Sequence, residues 1–285
     1  LQRGRDALMA FRNKRVRPTT DDKVLTSWNA LMITACVDAY TATADERCLE
    51  TALRDGRFIE TKMMRDDGHL WRNYSNGKAT IDAFLDDYAL LAQAFINLYQ
   101  TTFDIHWLQQ ARTLTHYALD HFTDPVSQML FYTSDAGEAL ITRKMEISDN
   151  VIPSSNSTFA AVLFQLGEYF QDPAFGSQSR SMLKHVSGEL NGAQSIYYGN
   201  WARVAGMWAY PSCEVAVTGE NARAVSLQLQ NRKFIPLALF CGGNQENLPL
   251  LENKYVAGQT VIYICQNREC RLPVTELNEA LKLLP

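Results

Sequence analysis

Apolar residues recur with the period of an α-helix over most of the first 210 positions. Between Val24 and Tyr40 they return mostly at every third or fourth position, the spacing that places side chains on one helix face. The same spacing predicts further helices, so the chain is predicted to be mainly α-helical. The predicted helices cover 1–13, about 20–40, 45–64, a segment starting near 82, another starting near 154, and about 201–209.

A unit of helix, short turn, helix and polar link repeats along this part of the chain. Each short turn is followed by an aspartate, at Asp45, Asp104 and Asp172, and aspartate is a favoured N-cap residue. Pro173 follows the third aspartate directly and suits the first position of a helix. Because each such unit needs neighbours to bury its apolar faces, the repeat predicts stacked helical hairpins.

The polar links and the C-terminal quarter follow a different pattern. The links at 66–74 and 128–138 alternate in part between apolar and polar residues and contain glycine, so both predict short strands. Pro236 favours an edge position for the strand that contains it. A strand, a helix and a strand in succession predict a small parallel unit. The predicted elements are strand 214–219, helix 221–230, strand 234–240, strand 261–264 and helix 275–284.

The composition excludes some classes of function. The chain has 285 residues, 46% of them hydrophobic, which is enough for a large core. Its formal net charge is -4 with no long run of one sign, so we expect no nucleic-acid partner. The basic segment 12–17 is interpreted as a solvated helix end rather than a phosphate clamp. No window of 18 apolar residues occurs, so no membrane partner is expected, and because residue 1 is leucine we interpret the chain as part of a longer protein.

The six cysteines do not form the pattern of a disulfide framework, and a reducing, cytoplasmic location fits them. Cys36 and Cys48 fall on apolar helix faces and are interpreted as small core residues. Four residues separate Cys265 from Cys270, a spacing compatible with zinc, with a redox pair or with a plain structural role. The structural role is favoured because no second ligand pair follows.

Polar residues gather near the predicted starts of the first helix of each hairpin. If the hairpins curve into a ring, these N-termini meet at one end and collect carboxylates, hydroxyls, amides and aromatic rings. This mixture suits a sugar-like ligand, and Asp22 and Asp87 are the candidates for general acid and base. The predicted ligand-binding residues are Lys23, Trp28, Asn29, Asp86, Tyr88, Asp149, Ser154, Asn156 and Ser157.

Each candidate also has a structural interpretation. The helix dipole alone favours carboxylates such as Asp86 and Asp87 near a helix start, and Ser154 is an ordinary N-cap. Trp28 would more often belong to a core than to a ligand platform. If Asn29 is buried it needs hydrogen-bond partners, which a ligand or the protein itself supplies equally well.

The remaining polar residues are explained without a ligand. Lys23 can pair with a neighbouring carboxylate such as Asp22, and Asp149 can belong to a turn. His116 and His121 lie five positions apart, which misses a shared helix face, so they are interpreted as surface residues. The five histidines show no metal-ligand spacing, and we predict no metal and no cofactor.

Several motifs, in order from end to end of the chain, resemble the YyaL family of thioredoxin-domain-containing proteins. They are Arg15-Val16-Arg17-Pro18, Asp21-Asp22-Lys23, Trp28-Asn29-Ala30-Leu31-Met32-Ile33, Leu85-Asp86-Asp87-Tyr88-Ala89, Pro153-Ser154-Ser155-Asn156-Ser157, Tyr263-Ile264-Cys265-Gln266-Asn267, Cys270 and Pro273-Val274-Thr275. The family usually has glycine at the position of Ala30, so the inner wall is expected to be more crowded here.

The resemblance implies an N-terminal thioredoxin-like domain, as a partner within the same protein, followed by an (α/α) toroid of the six-hairpin glycosidase type. This chain would be the C-terminal part, with a portion of the toroid, complete or incomplete, over 1–210 and a small α/β unit over 211–285. Two functions stay open. One is a carbohydrate-active domain, similar to glycoside hydrolases or sugar epimerases, and the other is a non-catalytic binding or scaffold domain that works with the thioredoxin-like domain. The chain lacks the histidine arrangement expected of an epimerase base.

Overall fold

A computed structural model describes residues 1–137, 140–233 and 237–285. Within them the chain forms ten α-helices and seven strands. The helices are α1 (Gln2–Arg12), α2 (Thr26–Thr43), α3 (Glu46–Met63), α4 (Leu85–Thr102), α5 (Ile105–Phe122), α6 (Ser155–Phe170), α7 (Pro173–Val186), α8 (Gly199–Ala209), α9 (Ala222–Arg232) and α10 (Leu277–Leu283). The strands are β1 (Val24–Leu25), β2 (Trp71–Ser75), β3 (Lys78–Asp82), β4 (Cys213–Thr218), β5 (Ala238–Gly243), β6 (Val261–Gln266) and β7 (Glu269–Cys270).

Three helical hairpins, α2–α3, α4–α5 and α6–α7, build the larger part of the molecule, as the repeat predicts. The first helices form an inner layer in which α4 packs against both α2 and α6, and α3, α5 and α7 lie outside them. The turns are closed as predicted, because Asp45, Asp104 and Asp172 each accept a hydrogen bond from the backbone N–H two residues later. Pro173 occupies the start of α7.

The inner helices α4 and α6 are apolar on nearly every side because they are surrounded by other helices. Leu91, Phe95, Phe159 and Leu163 have no exposed surface, and they belong to one large hydrophobic core. Burial of aliphatic and aromatic side chains on this scale is the main force that holds the hairpins together.

The start of the second helix differs from the prediction. Residues 20–23 are not helical, and α2 begins at Thr26, so no cap forms at Thr20. Val24 and Leu25 are held instead in extended conformation, because they pair as β1 with Tyr74 and Asn73 of the first polar link. Asp22 and Lys23 therefore lie before a strand and not at a helix N-terminus.

The two polar links differ from each other. The first forms the antiparallel hairpin β2–β3, which with β1 makes a three-stranded sheet and confirms the predicted strands. In the described part of the second link we find only an isolated bridge between Thr123 and Leu130. Glu138, at the end of that predicted strand region, lies outside the described residues.

The C-terminal unit contains the predicted strand, helix and parallel strand. Its sheet has the order β5-β4-β6-β7, and β4 and β5 are parallel neighbours joined through α9. The second strand begins at Ala238, and the predicted strand residues 234–236 lie outside the described residues. The boundary at 210 and 211 stays a prediction.

One disulfide joins Cys265 to Cys270, which face each other across the β6–β7 hairpin. The redox-pair interpretation of these two cysteines already allowed such a bond, and it forms because two residues at directly opposed positions of a tight hairpin are close enough to bond. Cys36 and Cys48 are free and only partly buried. The described residues bring no three metal-ligating side chains together. No helix among them has the length and apolarity to cross a membrane.

Candidate functional site

The N-termini of the inner helices α2 and α4 are joined by the carboxylate of Asp87. Its Oδ1 accepts the backbone N–H of Ser27 at 2.9 Å. Its Oδ2 accepts the backbone N–H of Phe84 at 3.1 Å and a hydrogen bond from Arg72 Nη1 at 2.9 Å. Asp87 thereby satisfies donors at two helix starts that have no partner within their own helices.

The surroundings of Asp87 change its protonation. The residue is 0% exposed. Burial and the negative charge of Asp86 raise the pKa of Asp87 to about 6, although Arg72 and the backbone N–H of Phe84 act in the opposite direction. Asp87 is therefore a carboxyl group that changes charge near neutral pH while it holds a structural position.

Asp86 has fewer contacts than its neighbour. It keeps 6% of its surface exposed, and its Oδ1 lies 3.3 Å from Arg72 Nη1. The guanidinium of Arg72 lies over the ring of Phe84, 4.8 Å from its centroid, and the rings of Phe84 and Tyr132 are 5.0 Å apart. Burial and the charge of Asp86 raise the pKa of Tyr132, so its hydroxyl stays protonated. Arg72, Tyr132 and the ring of Phe84 thus surround the carboxylate of Asp86, which accepts fewer hydrogen bonds than that of Asp87.

Trp28 lies in the first turn of α2, next to the residue whose N–H binds Asp87. It is 66% exposed, so it is not a core residue. Asn29, its neighbour, is half-buried, and its Nδ2 donates to the carbonyl of Leu25 at 2.7 Å. An exposed indole beside a polar cluster can stack on an apolar face of a ligand, whereas the contact of Asn29 is internal to the helix start.

The structure places Asp22 and Lys23 in different surroundings from Asp87. Asp22 is exposed and accepts a hydrogen bond from Ser75 Oγ at 2.9 Å. Arg72, which contacts Asp87, and Ser75 lie three positions apart on β2, so their side chains point to opposite faces of that strand. Lys23 pairs with Asp21 at 2.9 Å rather than with Asp22.

Tyr88 is buried beneath this end of α4. Its hydroxyl accepts the backbone N–H of Leu70 at 2.9 Å, and its ring stacks on Tyr117 with the centroids 5.4 Å apart. Burial raises the pKa of Tyr88, so the hydroxyl remains neutral. These contacts fix the first polar link against the helices.

The N-terminus of the third inner helix, α6, carries its own polar network. The Ser154 side chain accepts the N–H of Ser157, as an N-cap does. Asp149 accepts the N–H of Ser154 at 2.9 Å and, with its other oxygen, the N–H of Asn200 at 2.8 Å. The network therefore joins the start of α6 to the start of α8.

Asn156 fastens the second polar link to α6. Its Oδ1 accepts the N–H of Leu130, and its Nδ2 donates to the carbonyls of Leu130 and Glu146, all at 2.9 Å. The side chain is 0% exposed, and both its amide oxygen and its amide nitrogen are hydrogen-bonded within the protein. The contacts of Asn156 are therefore structural.

Several residues at this end were not identified by the sequence. Arg72 and Tyr132 belong to the polar links, and a link gives no periodic signal that would show which helix start a side chain reaches. His69 Nε2 lies 3.0 Å from Asp82 Oδ1 in a cavity of about 220 Å³ that Trp71 also lines. Trp71 and Arg72 are consecutive on β2, so this cavity and the Asp86 cluster lie on opposite faces of the strand.

The chain matches no protein-family model. It is 25% identical over 299 residues to an uncharacterized protein of Caenorhabditis elegans, covering 99% of this chain and 40% of that protein. It is 23% identical over 306 residues to human spermatogenesis-associated protein 20, covering 100% of this chain and 39% of that protein. The chain thus spans about two fifths of the length of these relatives.

Similar solved structures are toroids of carbohydrate enzymes. A family 76 α-mannanase of Bacteroides thetaiotaomicron superposes with a TM-score of 0.52 at 14% identity, over 88% of this chain and 68% of the other. An inactive variant of an α-1,6-mannanase of Salegentibacter, in complex with α-1,6-mannotriose, gives 0.50 at 18% identity over 64% and 56%. A sugar epimerase from a ruminal bacterium gives 0.50 at 13% over 59% and 46%. These likenesses confirm the predicted fold, a mainly α (α/α) toroid with a small C-terminal α/β unit.

Proposed function

We propose that this chain is a carbohydrate-active domain whose ligand binds at the end of the toroid where the inner helices begin. The observation that carries the proposal is the cluster around Asp86, a carboxylate next to Arg72 and Tyr132, with the exposed indole of Trp28 on the neighbouring helix start. A carboxylate for proton transfer and an aromatic surface for stacking are the two elements that sugar chemistry needs.

The mannanases indicate which class of sugar to test first. In the inactive Salegentibacter variant two consecutive aspartates are replaced by asparagine, and the enzyme is bound to α-1,6-mannotriose. Asp86 and Asp87 are also consecutive aspartates, at the start of an inner helix. We therefore place an oligosaccharide of this type first among the ligands to be tested.

The contacts favour different roles for the two aspartates. Asp86 exchanges a proton with the sugar, because it is the member of the pair that retains exposed surface. Asp87 acts as a positioning residue, since it holds Arg72 and both helix starts in place. Asp22, which is exposed, remains a proposed second carboxylate, and its contact with Ser75 favours it less.

A sugar-library binding screen on the full chain tests the proposal, with α-1,6-mannotriose as its first member. Asp86→Asn should weaken binding or abolish turnover while the melting temperature stays close to that of the wild type. Asp120→Asn is the matched control, because Asp120 is an exposed aspartate on the outer helix α5. Sugar binding and turnover that survive Asp86→Asn unchanged would contradict the assignment.

The second candidate function is a non-catalytic binding or scaffold domain that works with a thioredoxin-like domain of the same protein. It is favoured by Asp87 and Asn156, whose polar atoms bind backbone groups and a neighbouring arginine instead of facing an open space. The same screen separates the two functions. A scaffold would bind no member of the sugar library, and Asp86→Asn would change neither binding nor stability.

A further inference from the structure

A second cavity lies far along the chain from the Asp86 cluster, between the helical part and the C-terminal unit. Its volume of about 410 Å³ falls in the range of about 300–1,000 Å³ that is typical of small-molecule pockets. Its wall is mostly apolar, with Phe164 from α6, Met207 from α8 and Leu237 before β5. Burial raises the pKa of the lining thiol of Cys213 to about 11, so that group is uncharged as well.

Arg203 is the single charged side chain in the described lining of this cavity. Its Nε donates to Asn200 Oδ1 at 3.1 Å, which fixes the side chain and leaves the terminal nitrogens available. No carboxylate of the described residues lies within 4.0 Å of it, in contrast to Arg72 and Arg268, which have acidic partners. Arg203 is an exposed residue, so its guanidinium lies at the mouth of the cavity rather than at its base.

The neighbouring protein also affects the pKa of Arg203. The surrounding protein lowers its pKa by desolvation, and no neighbouring charge compensates. A cation without an acidic partner among the described residues can form charge-assisted hydrogen bonds with an anionic ligand.

We infer that this cavity binds an amphipathic monocarboxylate, with an unbranched hydrocarbon tail against Phe164 and Met207 and its carboxylate on Arg203. The planar guanidinium forms paired hydrogen bonds with a carboxylate. The apolar wall provides few groups to bind a sugar, so this ligand class differs from that of the proposed carbohydrate site.

Isothermal titration of the full chain with n-decanoate tests the inference, with decan-1-ol as the ligand that has the same tail but no charge. Decanoate should bind with a Kd below about 1 mM and at least about tenfold more tightly than the alcohol, the difference expected for a charge-assisted hydrogen bond. Arg203→Gln should remove that preference. Arg180→Gln is the control, because Arg180 lies over the ring of Trp208 and lines neighbouring cavities instead.

A second pair of variants tests the tail without touching Arg203. A Cβ at Gly206 meets only Leu237 Cδ1, at 3.6 Å, which is an ordinary contact. Gly206→Ala should therefore bind decanoate like the wild type, whereas Gly206→Leu should occupy part of the space for the tail and weaken binding by about tenfold or more. Circular dichroism confirms that each variant is folded.

Three results would overturn the inference. They are no binding of decanoate to the wild type, equal binding of decan-1-ol, and decanoate binding that survives both Arg203→Gln and Gly206→Leu. If Arg203→Gln does not fold, Arg203→Lys replaces it, and this variant should keep part of the preference because it keeps the charge.

Discussion

The carboxyl group of Asp87 holds two helix starts together and titrates near neutral pH. Its folded-state pKa of about 6 is above the ordinary value of 3.8. The stability that its protonated form contributes is therefore fully present below about pH 4, and it is lost as the pH rises through about 6. We expect the free energy of unfolding of the wild type to contain a component that falls between these two pH values.

Asp87→Asn tests this coupling by chemical denaturation across the same pH range. The variant should lose the falling component, because asparagine does not titrate. At low pH its stability should be close to that of the wild type, because a protonated carboxyl group and an amide each present one carbonyl oxygen and one donor to Ser27, Phe84 and Arg72. Equal pH profiles for the variant and the wild type would show that Asp87 does not titrate in this range.

Substitution of Trp28 distinguishes a role in ligand binding from a role in packing. Because its side chain is 66% exposed, Trp28→Ala should change the free energy of unfolding by no more than about 0.5 kcal/mol. The same substitution should weaken sugar binding in the proposed screen by removing the stacking surface. A large loss of stability with unchanged binding would assign Trp28 to packing.

At the residue scale, local roles could be predicted from the sequence and long-range roles could not. The caps at Asp45, Asp104 and Asp172 follow from their own neighbours in the chain, and the structure confirms them. The partners of Asp87 and Asn156 are distant positions, such as Ser27 and Leu130. Side-chain periodicity carries no information about such pairs, so the sequence could identify the polar residues but not what they bind.

At the scale of elements, the β6–β7 hairpin provides a test of local stability. The disulfide closes only the short loop between Cys265 and Cys270, so a reductant should lower the free energy of unfolding by no more than about 2 kcal/mol. A variant with serine at both positions should show no response to the reductant. A loss of several kcal/mol would mean that the bond holds more of the fold than this hairpin.

The helices were easier to predict than the strands that pair with them. The long apolar periodicity of α4 and α6 identifies them directly, since these helices are buried on almost all sides. The start of α2 was predicted too early because Val24 and Leu25 fit a helix as well as a strand by pattern alone. Pairing with β2, which is a tertiary contact, decides between the two.

At the scale of the whole molecule, the repeat predicted stacked helical hairpins and the family resemblance implied the toroid, and the solved mannanase structures agree with it. The starts of α2 and α4 lie side by side, as stacked hairpins of one orientation require, and Asp87 joins them. It does not fix a reaction, because toroids of this kind include both hydrolases and an epimerase. The proposed function therefore depends on the side chains at that end.

The most direct test of the proposed carbohydrate site is a crystal structure of the full chain with the tightest-binding sugar of the screen. We predict a sugar ring stacked on Trp28, with a hydroxyl or glycosidic oxygen about 2.6–3.2 Å from the carboxylate of Asp86. A sugar bound elsewhere on the molecule, with Asp86 contacting only Arg72 and Tyr132, would contradict the account.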